Sequence, residues 1–267
     1  MRWPRIARNE LLDAARTRSL FVAAAVFVVL GGFTGYLGGD PDAALARTLP
    51  VGVLGSMTFL VPVVALGFSY EAVVSPRERG SLQFLLGLPY SRRDVLLGTY
   101  AGRAVIVVLS VLAGFLALAL AALLRGILVS PVALASAFAA AATLGVAFVA
   151  AGIGLSAAVR STQAAAILAF GLFLLLFFFW WQVPGLVAYV SNGFAAPPEP
   201  PAWAPVFRSL NPVAAYGVLG DALTGGGVGT GIVGGAVDSS LLALGVLAGW
   251  ASLPPLAGYL RFRNDDL

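Results

Sequence analysis

The chain has 267 residues, of which 60% are hydrophobic and 10% are charged, and it carries a formal net charge of +4. Soluble domains carry roughly a quarter charged residues, so this composition indicates an integral membrane protein without a separate soluble catalytic domain. The sequence contains no Cys and no His, and its 16 basic residues are all Arg, which excludes thiolate and imidazole metal sites as well as a Ser-Lys dyad.

The first 19 residues have the pattern of an amphipathic helix. Its polar side is formed by Arg2, Arg5, Asn9, Asp13 and Arg16, and its apolar side by Trp3, Ala7, Leu11 and Ala14 or Ala15. We expect a helix that lies in the plane of the membrane surface, with its arginines near lipid phosphates. The alternative is a solvated basic flank that only sets the topology.

Six apolar stretches follow, each near the roughly 20 residues that a membrane-spanning helix requires. They cover residues 20–37, 49–70, 104–124, 132–159, 164–183 and 241–260. The predicted fold is an all-α polytopic membrane protein in which residues 1–267 form a single transmembrane domain. Pro62 is expected to kink the second span. Pro254 and Pro255 are expected to bend or break the last span, provided that neighbouring groups satisfy the freed carbonyls.

The arginines are distributed unevenly between the two sides that six spans define. One side holds 13 of them, and the other holds Arg47, Arg125 and Arg208. The 13 are Arg2, Arg5, Arg8, Arg16, Arg18, Arg77, Arg79, Arg92, Arg93, Arg103, Arg160, Arg261 and Arg263. The positive-inside rule then places both termini in the cytoplasm. Because the net positive charge is a topology signal, we expect no nucleic acid as a partner.

Residues 71–99 form a long polar interruption on the predicted cytoplasmic side. Ser75, Pro76 and Glu78 have the spacing of a helix start, with a capping hydroxyl, Pro at the first helical position and Glu three residues after the cap. A short amphipathic helix is therefore expected over residues 76–88, too brief and too charged to span a bilayer. Its apolar side is formed by Leu82, Leu85 and Leu86, with Phe84 one position aside.

A second helix start follows closely. Ser91 and Asp94 repeat the capping pattern immediately before the third apolar stretch. Pro89, which cannot continue a helix, separates the two starts. The sequence therefore predicts a short amphipathic helix and then the third span, joined by a short turn.

The outer connection, residues 184–240, is predicted to be an extracytoplasmic loop. It contains a Pro-rich turn (197–201), the tract 211–216 and a flexible Gly-rich run (225–235). Residues 229–234 match G-x-G-x-x-G, but no strand precedes them and no acidic residue follows at the ribose-binding spacing, so the match is accidental. No Walker A sequence occurs in the chain.

The spans hold essentially no ionisable residue in their middles, which weighs against proton-coupled or ion-coupled transport. The Ser and Thr residues of the spans are not accompanied by a His or by a cluster of carboxylates, which weighs against intramembrane catalysis.

Small-residue pairs at Gly31 and Gly35, and at Gly98 and Gly102, allow helices to approach closely. The bulky run 172–181 is expected to be a lipid-facing wall or a homodimer seam.

The block from residue 69 to residue 98 resembles a segment of type 2 ABC transporter permeases. It reads SYEAVV, then ERGSLQFLL, then LPYSRRDVLLG, against the family pattern E-R-G-T/S-L-E-x-L-L-x-x-P-x-S-R-x-x-[IV]-L-L-G-K. The chain departs from the pattern at Gln83, where Glu is usual, and at Thr99, where Lys often follows. The amphipathic start, the six spans and an outer Asn211-Pro212 extend the resemblance over most of the chain. Within the family, the chain looks most similar to the permease of the exporter that serves nitrous oxide reductase maturation, and to related archaeal and bacterial permeases.

The resemblance implies a complex in which two membrane subunits, a second copy of this chain or a paralogous permease, each dock on a separate ABC ATPase subunit. ATP and Mg would be bound by the two ATPase subunits, so no catalytic, cofactor-binding or metal-binding residue is expected in this chain. The segment 76–88 would be the coupling helix, and Glu78 and Arg79 would transmit the coupling. The residues that the resemblance assigns to coupling are Pro76, Arg77, Glu78, Arg79, Gly80, Ser81, Leu82, Leu85, Leu86, Pro89, Ser91 and Arg92.

Three functions are compatible with these observations. The first is the permease subunit of an ATP-driven exporter in the cell membrane, with an unknown substrate. The second is a maturation or signalling module that uses the same ATPase-driven motion to act on an extracytoplasmic protein bound at residues 184–240. The third is an ATP-independent membrane protein. The lack of His and Cys disfavours copper as a cargo.

Overall fold

The computed structural model describes residues 3–38, 45–81, 90–196, 199–225 and 239–263, apart from the side chains of residues 45–47. Within those ranges all regular secondary structure is helical, which confirms the predicted all-α class. The helices are α1 (Trp3–Arg16), α2 (Ser19–Leu37), α3 (Leu45–Ser69), α4 (Val74–Glu78), α5 (Arg92–Leu124), α6 (Pro131–Ala158), α7 (Thr162–Leu174), α8 (Val183–Ser191), α9 (Ala204–Ser209), α10 (Pro212–Thr224) and α11 (Ser240–Phe262). A π-helical turn (Leu175–Phe179) and a 3-10 turn (Trp180–Gln182) join α7 to α8.

Within the described ranges, six helical segments are long and apolar enough to cross a membrane, as the sequence predicts. They are Ser19–Leu37, Thr48–Glu78, Arg92–Leu124, Pro131–Ala158, Thr162–Ser191 and Ser240–Phe262. Three of them extend well beyond their predicted bounds. The second ends at Glu78 rather than at residue 70, the third begins at Arg92 rather than at residue 104, and the fifth ends at Ser191 rather than at residue 183. With 33 residues, α5 is about 50 Å long and exceeds a hydrocarbon core of about 30 Å. Its polar first turns therefore extend beyond the apolar layer.

Helix α1 packs along those first turns of α5. Gly98 and Gly102 make this possible, because a side chain at Gly98 would collide with Ile6 and one at Gly102 would collide with Glu10. The buried side chain of Ile6 joins the main hydrophobic core. Contact with α1 thus explains why the polar residues before position 104 are helical.

Close backbone contacts also hold α2 against α5. A side chain at Gly31 would collide with the carbonyl group of Gly114, and one at Gly35 would collide with the carbonyl oxygen of Leu118. Phe27 is fully buried beside this contact. The two small-residue pairs found in the sequence therefore serve packing within one chain.

The central helix of the bundle is α6, which contacts α3, α5, α10 and α11. Its side chains are mostly Ala and Gly, so its neighbours approach closely. A side chain at Gly154 would collide with Pro254 of α11, and one at Gly258 of α11 would collide with Gly154. Phe148 supplies one of the few large side chains in its buried surface.

The last span is continuous through Pro254 and Pro255, so the predicted break is absent. Pro255 has no N–H with which to bond the carbonyl of Ala251, four residues earlier. The hydroxyl of Tyr100 donates a hydrogen bond to that carbonyl over 3.0 Å. A helix that continues through proline requires a neighbouring group to satisfy the freed carbonyl, as expected from the sequence. For the carbonyl of Ala251, Tyr100 of α5 is that group.

The connection between the fifth and sixth spans contains a buried helix rather than only a loop. The side chain of Asn211 is fully buried; its oxygen accepts a hydrogen bond from the N–H of Val213, and its nitrogen donates to the carbonyl of Leu176 in the π-helical turn. The hydroxyl of Tyr216, also fully buried, donates to the carbonyl of Leu54 over 2.9 Å. Hence α10 is wedged into the bundle. Residues 197–198 and 226–238, which include the G-x-G-x-x-G match and most of the Gly-rich run, lie outside the described residues.

The first and last described helices both contact the start of α5 at one end of the bundle. The backbone N–H of Trp3 in α1 donates to Asp94 of α5 over 3.2 Å. From the same end of α5, Arg92 donates to the carbonyl of Phe262, the last residue of α11, over 2.6 Å. We call this end, with Arg77, Arg92, Arg93 and Arg103, the arginine-rich end.

Candidate functional site at the arginine-rich end

The site is built around α4, a five-residue helix that follows a turn after α3. The backbone N–H groups of Val73 and Val74 both donate to the hydroxyl of Ser156, each over 3.0 Å. Ser156 belongs to α6 and is fully buried. The donors at the start of α4 are thus satisfied by another span rather than by the chain next to them.

The predicted capping role of Ser75 is therefore wrong. Ser75 lies inside α4, which begins at Val74, and its side chain is buried. Pro76 is the third residue of the helix rather than the first. The sequence pattern around Ser75 suited a local cap, but Ser156 supplies the acceptor from a position 82 residues away from Val74.

Arg77 joins α4 to the end of α6. Its Nη1 atom donates to the carbonyl of Val159, the C-terminal cap of α6, over 3.0 Å. A positive charge at this position also suits the partial negative charge of a helix C-terminus. The guanidinium carbon of Arg77 lies 5.2 Å from the ring centroid of Phe262. Arg77 therefore contacts both α6 and α11.

Glu78 joins α4 to the start of α7. Its Oε2 atom accepts hydrogen bonds from the N–H of Thr162, over 3.2 Å, and from the Thr162 hydroxyl. Thr162 is the first residue of α7, where a carboxylate suits the partial positive charge of the helix N-terminus. Two adjacent residues of opposite charge thus bind the two helix ends on either side of the 159–162 turn.

Arg92 completes the connection from the other side of the 71–99 segment. It donates to the carbonyls of Phe262 and Arg263, over 2.6 and 3.2 Å, and its guanidinium carbon lies 5.4 Å from the Phe262 ring centroid. The side chain of Phe262 is fully buried and lies within cation–π distance of both Arg77 and Arg92. The C-terminal end of α11 is therefore held by both flanks of the segment.

The prediction of one helix over residues 76–88 is wrong at its start, because the helix is interrupted after Glu78. Helix α4 ends at Glu78, and Gly80 adopts a φ of +74°, a left-handed conformation that ends helices. Arg79 is exposed beside it. The hydroxyl of Ser81 donates back to the carbonyl of Pro76 over 3.1 Å.

The remaining predicted coupling residues divide into two groups. The cap at Ser91 is confirmed: its hydroxyl accepts from the N–H of Asp94 over 3.1 Å, and its own N–H donates to the Asp94 carboxylate. Four residues lie outside the described part of the chain, namely Leu82, Leu85, Leu86 and Pro89.

Sequence reasoning missed the partners of this site. Ser156, Val159, Thr162 and Phe262 lie in or beside spans that were read only for hydropathy. The one available signal was the short polar turn between the fourth and fifth spans, where Ser161 and Thr162 suit a helix start. Nothing in the pattern indicated that Glu78 would bind there.

An ion pair between α1 and α5 lies at the same end of the bundle. Arg103 Nε lies 3.0 Å from Glu10 Oε2, and both side chains are about three-quarters shielded from solvent. Burial raises the pKa of the Glu10 carboxyl above its ordinary value of 4.5, and the Arg103 guanidinium opposes that rise. The amphipathic N-terminal helix is thereby fixed to α5, whose first turns form the end of the 71–99 segment.

Comparison with known proteins places these observations in context. A family model described as ABC-2 family transporter protein matches residues 5–267. A probable ABC transporter permease protein NosY from Stutzerimonas stutzeri is 38% identical over 128 residues, 46% of each chain, so this alignment covers less than half of that relative. A protein of the same description from Pseudomonas aeruginosa is 31% identical over 235 residues, 84% of each chain.

Proposed function

The chain belongs to the ABC-2 family of transporter proteins, and from that premise we propose that it is the permease subunit of an ATP-driven exporter. Its six apolar helices make it a multi-pass protein of the cell membrane. Membership of the family implies association with an ABC ATPase subunit. We propose that two copies of this chain, or one copy with a paralogous permease, dock on two ATPase subunits that bind the ATP and Mg, while this chain itself is not catalytic.

The distribution of arginines supports an orientation. The arginine-rich end carries residues from the side that holds 13 of the 16 arginines in the sequence. On the positive-inside rule this end faces the cytoplasm, where ATP and the ATPase subunits are found. Helix α1 then lies at the cytoplasmic membrane surface, in the plane of the membrane, with its polar side toward lipid headgroups and water.

The observation that carries the proposal is the pair of bonds from α4 to both sides of the 159–162 turn. Arg77 binds the carbonyl at the end of α6, and Glu78 binds the N–H at the start of α7. A displacement of the 71–99 segment by an ATPase would therefore act on two spans directly. Arg92 would carry the same displacement to the end of α11 through Phe262.

The fifth span is suited to carry this motion across the membrane. The segment Thr162–Ser191 has 30 residues, about 45 Å of helix. Near its middle the π-helical turn offers the carbonyl of Leu176 to Asn211, which precedes the buried helix α10. A shift that starts at Thr162 would thus reach the outer part of the bundle through a bonded path, which is the kind of rigid-element movement that couples distant sites.

Arg79 is the described side chain best placed to contact the ATPase. Arg79 is exposed immediately after α4. Glu78 is exposed as well, but its carboxylate is bonded to Thr162, and Arg77 is bonded to Val159. We therefore assign Arg79 to the subunit contact and Glu78 to transmission within the permease. Leu82, Leu85 and Leu86 are proposed to supply the apolar part of the contact.

The first test is purification of the tagged chain from its own membranes in mild detergent, with mass spectrometry of the co-purified proteins. A protein with a Walker A sequence should be recovered in near equal amount and should be lost when Leu82 and Leu85 are both changed to Asp. The matched control changes the exposed Leu123 and Leu124, at the far end of α5, to Asp. Purification of the chain alone in every mild condition would favour an ATP-independent membrane protein.

A second candidate function is supported by exposed apolar residues in the outer segment. Phe194 is 69% exposed, Val206 is 54% exposed and Trp203 is 43% exposed. These residues lie in or beside α8 and α9, and both relatives are named NosY permeases. The alternative is therefore a module that uses ATPase-driven motion to mature an extracytoplasmic protein, as in nitrous oxide reductase assembly.

Changing Phe194 and Trp203 to Asp separates the two candidates. A maturation module should lose its extracytoplasmic protein partner and keep its ATPase subunit, both measured by co-purification. For an exporter, the same double variant should keep the ATPase subunit and lose no other protein.

A further inference from the structure

A groove of about 380 Å³ lies between α5 and α11 at the arginine-rich end. The two helices run in opposite directions, so that Arg93 faces Tyr259 at one end of the groove and Tyr100 faces Ala251 at the other. Along α11 the groove extends over about 12 Å, the rise of the eight residues from Ala251 to Tyr259. Leu97 and Leu256 line the space between these two ends.

The deeper part of the groove offers no free polar group from the side chains that line it. The Tyr100 hydroxyl is bonded to the carbonyl of Ala251, and the Ser252 hydroxyl is bonded to the carbonyl of Ala248 over 2.7 Å. Leu97 is 44% exposed and Leu256 is 52% exposed, so both present apolar surface to an occupant. The chemistry of this part suits a hydrocarbon chain.

The mouth of the groove is cationic. The guanidinium carbon of Arg93 lies 5.8 Å from the ring centroid of Tyr259, and no carboxylate pairs with Arg93 among the described residues. The neighbouring Asp94 is engaged by Ser91 and by the N–H of Trp3. The charge at the mouth is therefore available to an anion, and Arg261 adds another exposed positive charge in the last turn of α11.

The position of the mouth matches the depth of lipid headgroups. Tyr259 lies in the last turn of a 23-residue apolar span, and Arg93 is the second residue of α5. Tyr and Arg are the side chains that settle at a membrane interface, with apolar stems in the hydrocarbon and polar tips in the headgroup layer. A groove that begins at this depth and continues into the span is open to lipid in the single chain.

We propose that this groove binds an anionic glycerophospholipid, with the phosphate at Arg93 and an acyl chain along Leu97 and Leu256. A positive mouth and an apolar floor match the two parts of such a lipid, and basic pockets between spanning helices are sites of this kind. The bound lipid bridges the helix that follows the 71–99 segment and the last span. This inference depends on the membrane-spanning fold and not on the identity of the transported substrate.

The proposal is tested by native mass spectrometry of the full chain purified in detergent and mixed with phosphatidylglycerol or phosphatidylcholine. The chain should retain phosphatidylglycerol in preference to phosphatidylcholine. R93Q should lower the retained phosphatidylglycerol about fivefold, because one arginine near the lipid surface contributes on the order of a fivefold affinity. R93K should keep most of it. R8Q removes the same charge from an exposed position on α1, outside the groove, and should lower retention much less than R93Q does.

A second variant separates the groove from surface charge in general. L256W places a larger side chain in the groove at the exposed position of Leu256 and leaves Arg93 unchanged. This variant should also lower phosphatidylglycerol retention. Equal retention in wild type and R93Q, or an equal loss in R8Q, would overturn the proposal.

A protein occupant is tested with L256C, which is the single cysteine of an otherwise cysteine-free chain. Oxidation in native membranes should give no disulfide-linked dimer. Efficient dimer formation would overturn the lipid site and identify the groove as an interface between copies.

Discussion

Glu78 at the end of α4 accepts a hydrogen bond from the backbone N–H of Thr162, the first residue of α7 and 84 positions away in the chain. This bond ties the segment that resembles a coupling region to the start of the fifth span. Arg79, the next residue, is exposed. Of these two neighbouring charges, both exposed and both first assigned to coupling, Glu78 is thus bonded to the fifth span, and we propose the ATPase subunit as the partner of Arg79.

The first prediction is that these two charges act at different steps. E78A should keep the ATPase subunit bound, because Glu78 binds within the chain, but should reduce the ATPase activity that depends on transport by about fivefold or more, on the scale of a lost charge-assisted hydrogen bond. E78Q keeps an acceptor for Thr162 and should lose less. R79E should instead weaken binding of the ATPase subunit. The double variant E78R/R79E should lose transport-dependent ATPase activity and still insert in the membrane.

The measurements are co-purification of the ATPase subunit and ATPase activity in reconstituted vesicles. If E78A released the ATPase subunit as R79E does, the division of roles would be wrong. Normal coupled activity in the double variant would contradict a coupling role for both residues.

A second prediction concerns the cap that Ser156 supplies to α4. S156A should lower the free energy of unfolding by about 2 kcal/mol, because it leaves the N–H groups of Val73 and Val74 without their acceptor in a buried position. S110A is the matched control. Ser110 is equally buried, but its hydroxyl donates only to the carbonyl of Ile106 in its own helix, which keeps its backbone partner. Denaturant or thermal unfolding in micelles should show a large loss for S156A and little change for S110A.

The contrast between Ser91 and Ser75 shows what the sequence could predict at this site. The acceptor, the donors and the reciprocal carboxylate of the Ser91 cap lie within four residues, so a local pattern contained the whole interaction. The start of α4 depends on Ser156 from another span, and no local pattern contains that contact. The six spans were predictable for a similar reason, since a long apolar run needs no partner to be recognised.

Helix α10 shows the limit of hydropathy. Its 13 residues are too few to be predicted as a membrane-spanning helix, and the Pro-rich and Gly-rich tracts on either side predict a loop. Its burial arises from Asn211 and Tyr216, which bond carbonyls of the fifth and second spans. Those partners become visible only when the bundle is assembled.

A third prediction distinguishes two adjacent glycines of α2. G31A should destabilise the chain by about 1–3 kcal/mol, because the new methyl group meets the backbone of Gly114, which cannot move aside as a side chain can. G32A adds the same methyl group where no atom lies within 4 Å. It should be neutral or stabilising by up to about 1 kcal/mol through helix propensity. Thermal unfolding of the two variants in one detergent provides the comparison, and equal stability would show that α2 and α5 are not in close contact.

A fourth prediction concerns the pH dependence of the contact between α1 and α5. Burial raises the pKa of Glu10 above its ordinary value of 4.5, so the folded state holds this proton to a higher pH than the unfolded chain does. Stability therefore falls as the pH rises from about 4.5 through the folded pKa. R103Q removes the attraction that limits this rise, although the hydrogen bond from Thr99 continues to favour the charged form and Asp13 continues to oppose it.

R103Q should thus raise the pKa of Glu10 further and lose more stability than wild type over that range. Thermal unfolding from about pH 5 to about pH 8 measures the difference, which should widen as the pH increases. The double variant E10Q/R103Q lacks the Glu10 carboxyl and should remove the added dependence. A constant difference between R103Q and wild type at every pH would contradict this account.

The fifth prediction tests the connection between the fifth span and α10. N211A removes the cap from Val213 and leaves the carbonyl of Leu176 without the Asn211 amide, so it should lower the free energy of unfolding by about 2–3 kcal/mol. Y216F, which removes the hydroxyl that bonds Leu54 and leaves a ring of nearly the same shape, should cost about 1 kcal/mol. If the path from Thr162 to α10 transmits motion, N211A should also reduce transport-dependent ATPase activity without releasing the ATPase subunit, whereas Y216F should retain most of it. Loss of stability in N211A with unchanged coupling would mean that Asn211 holds the bundle together but does not carry the motion.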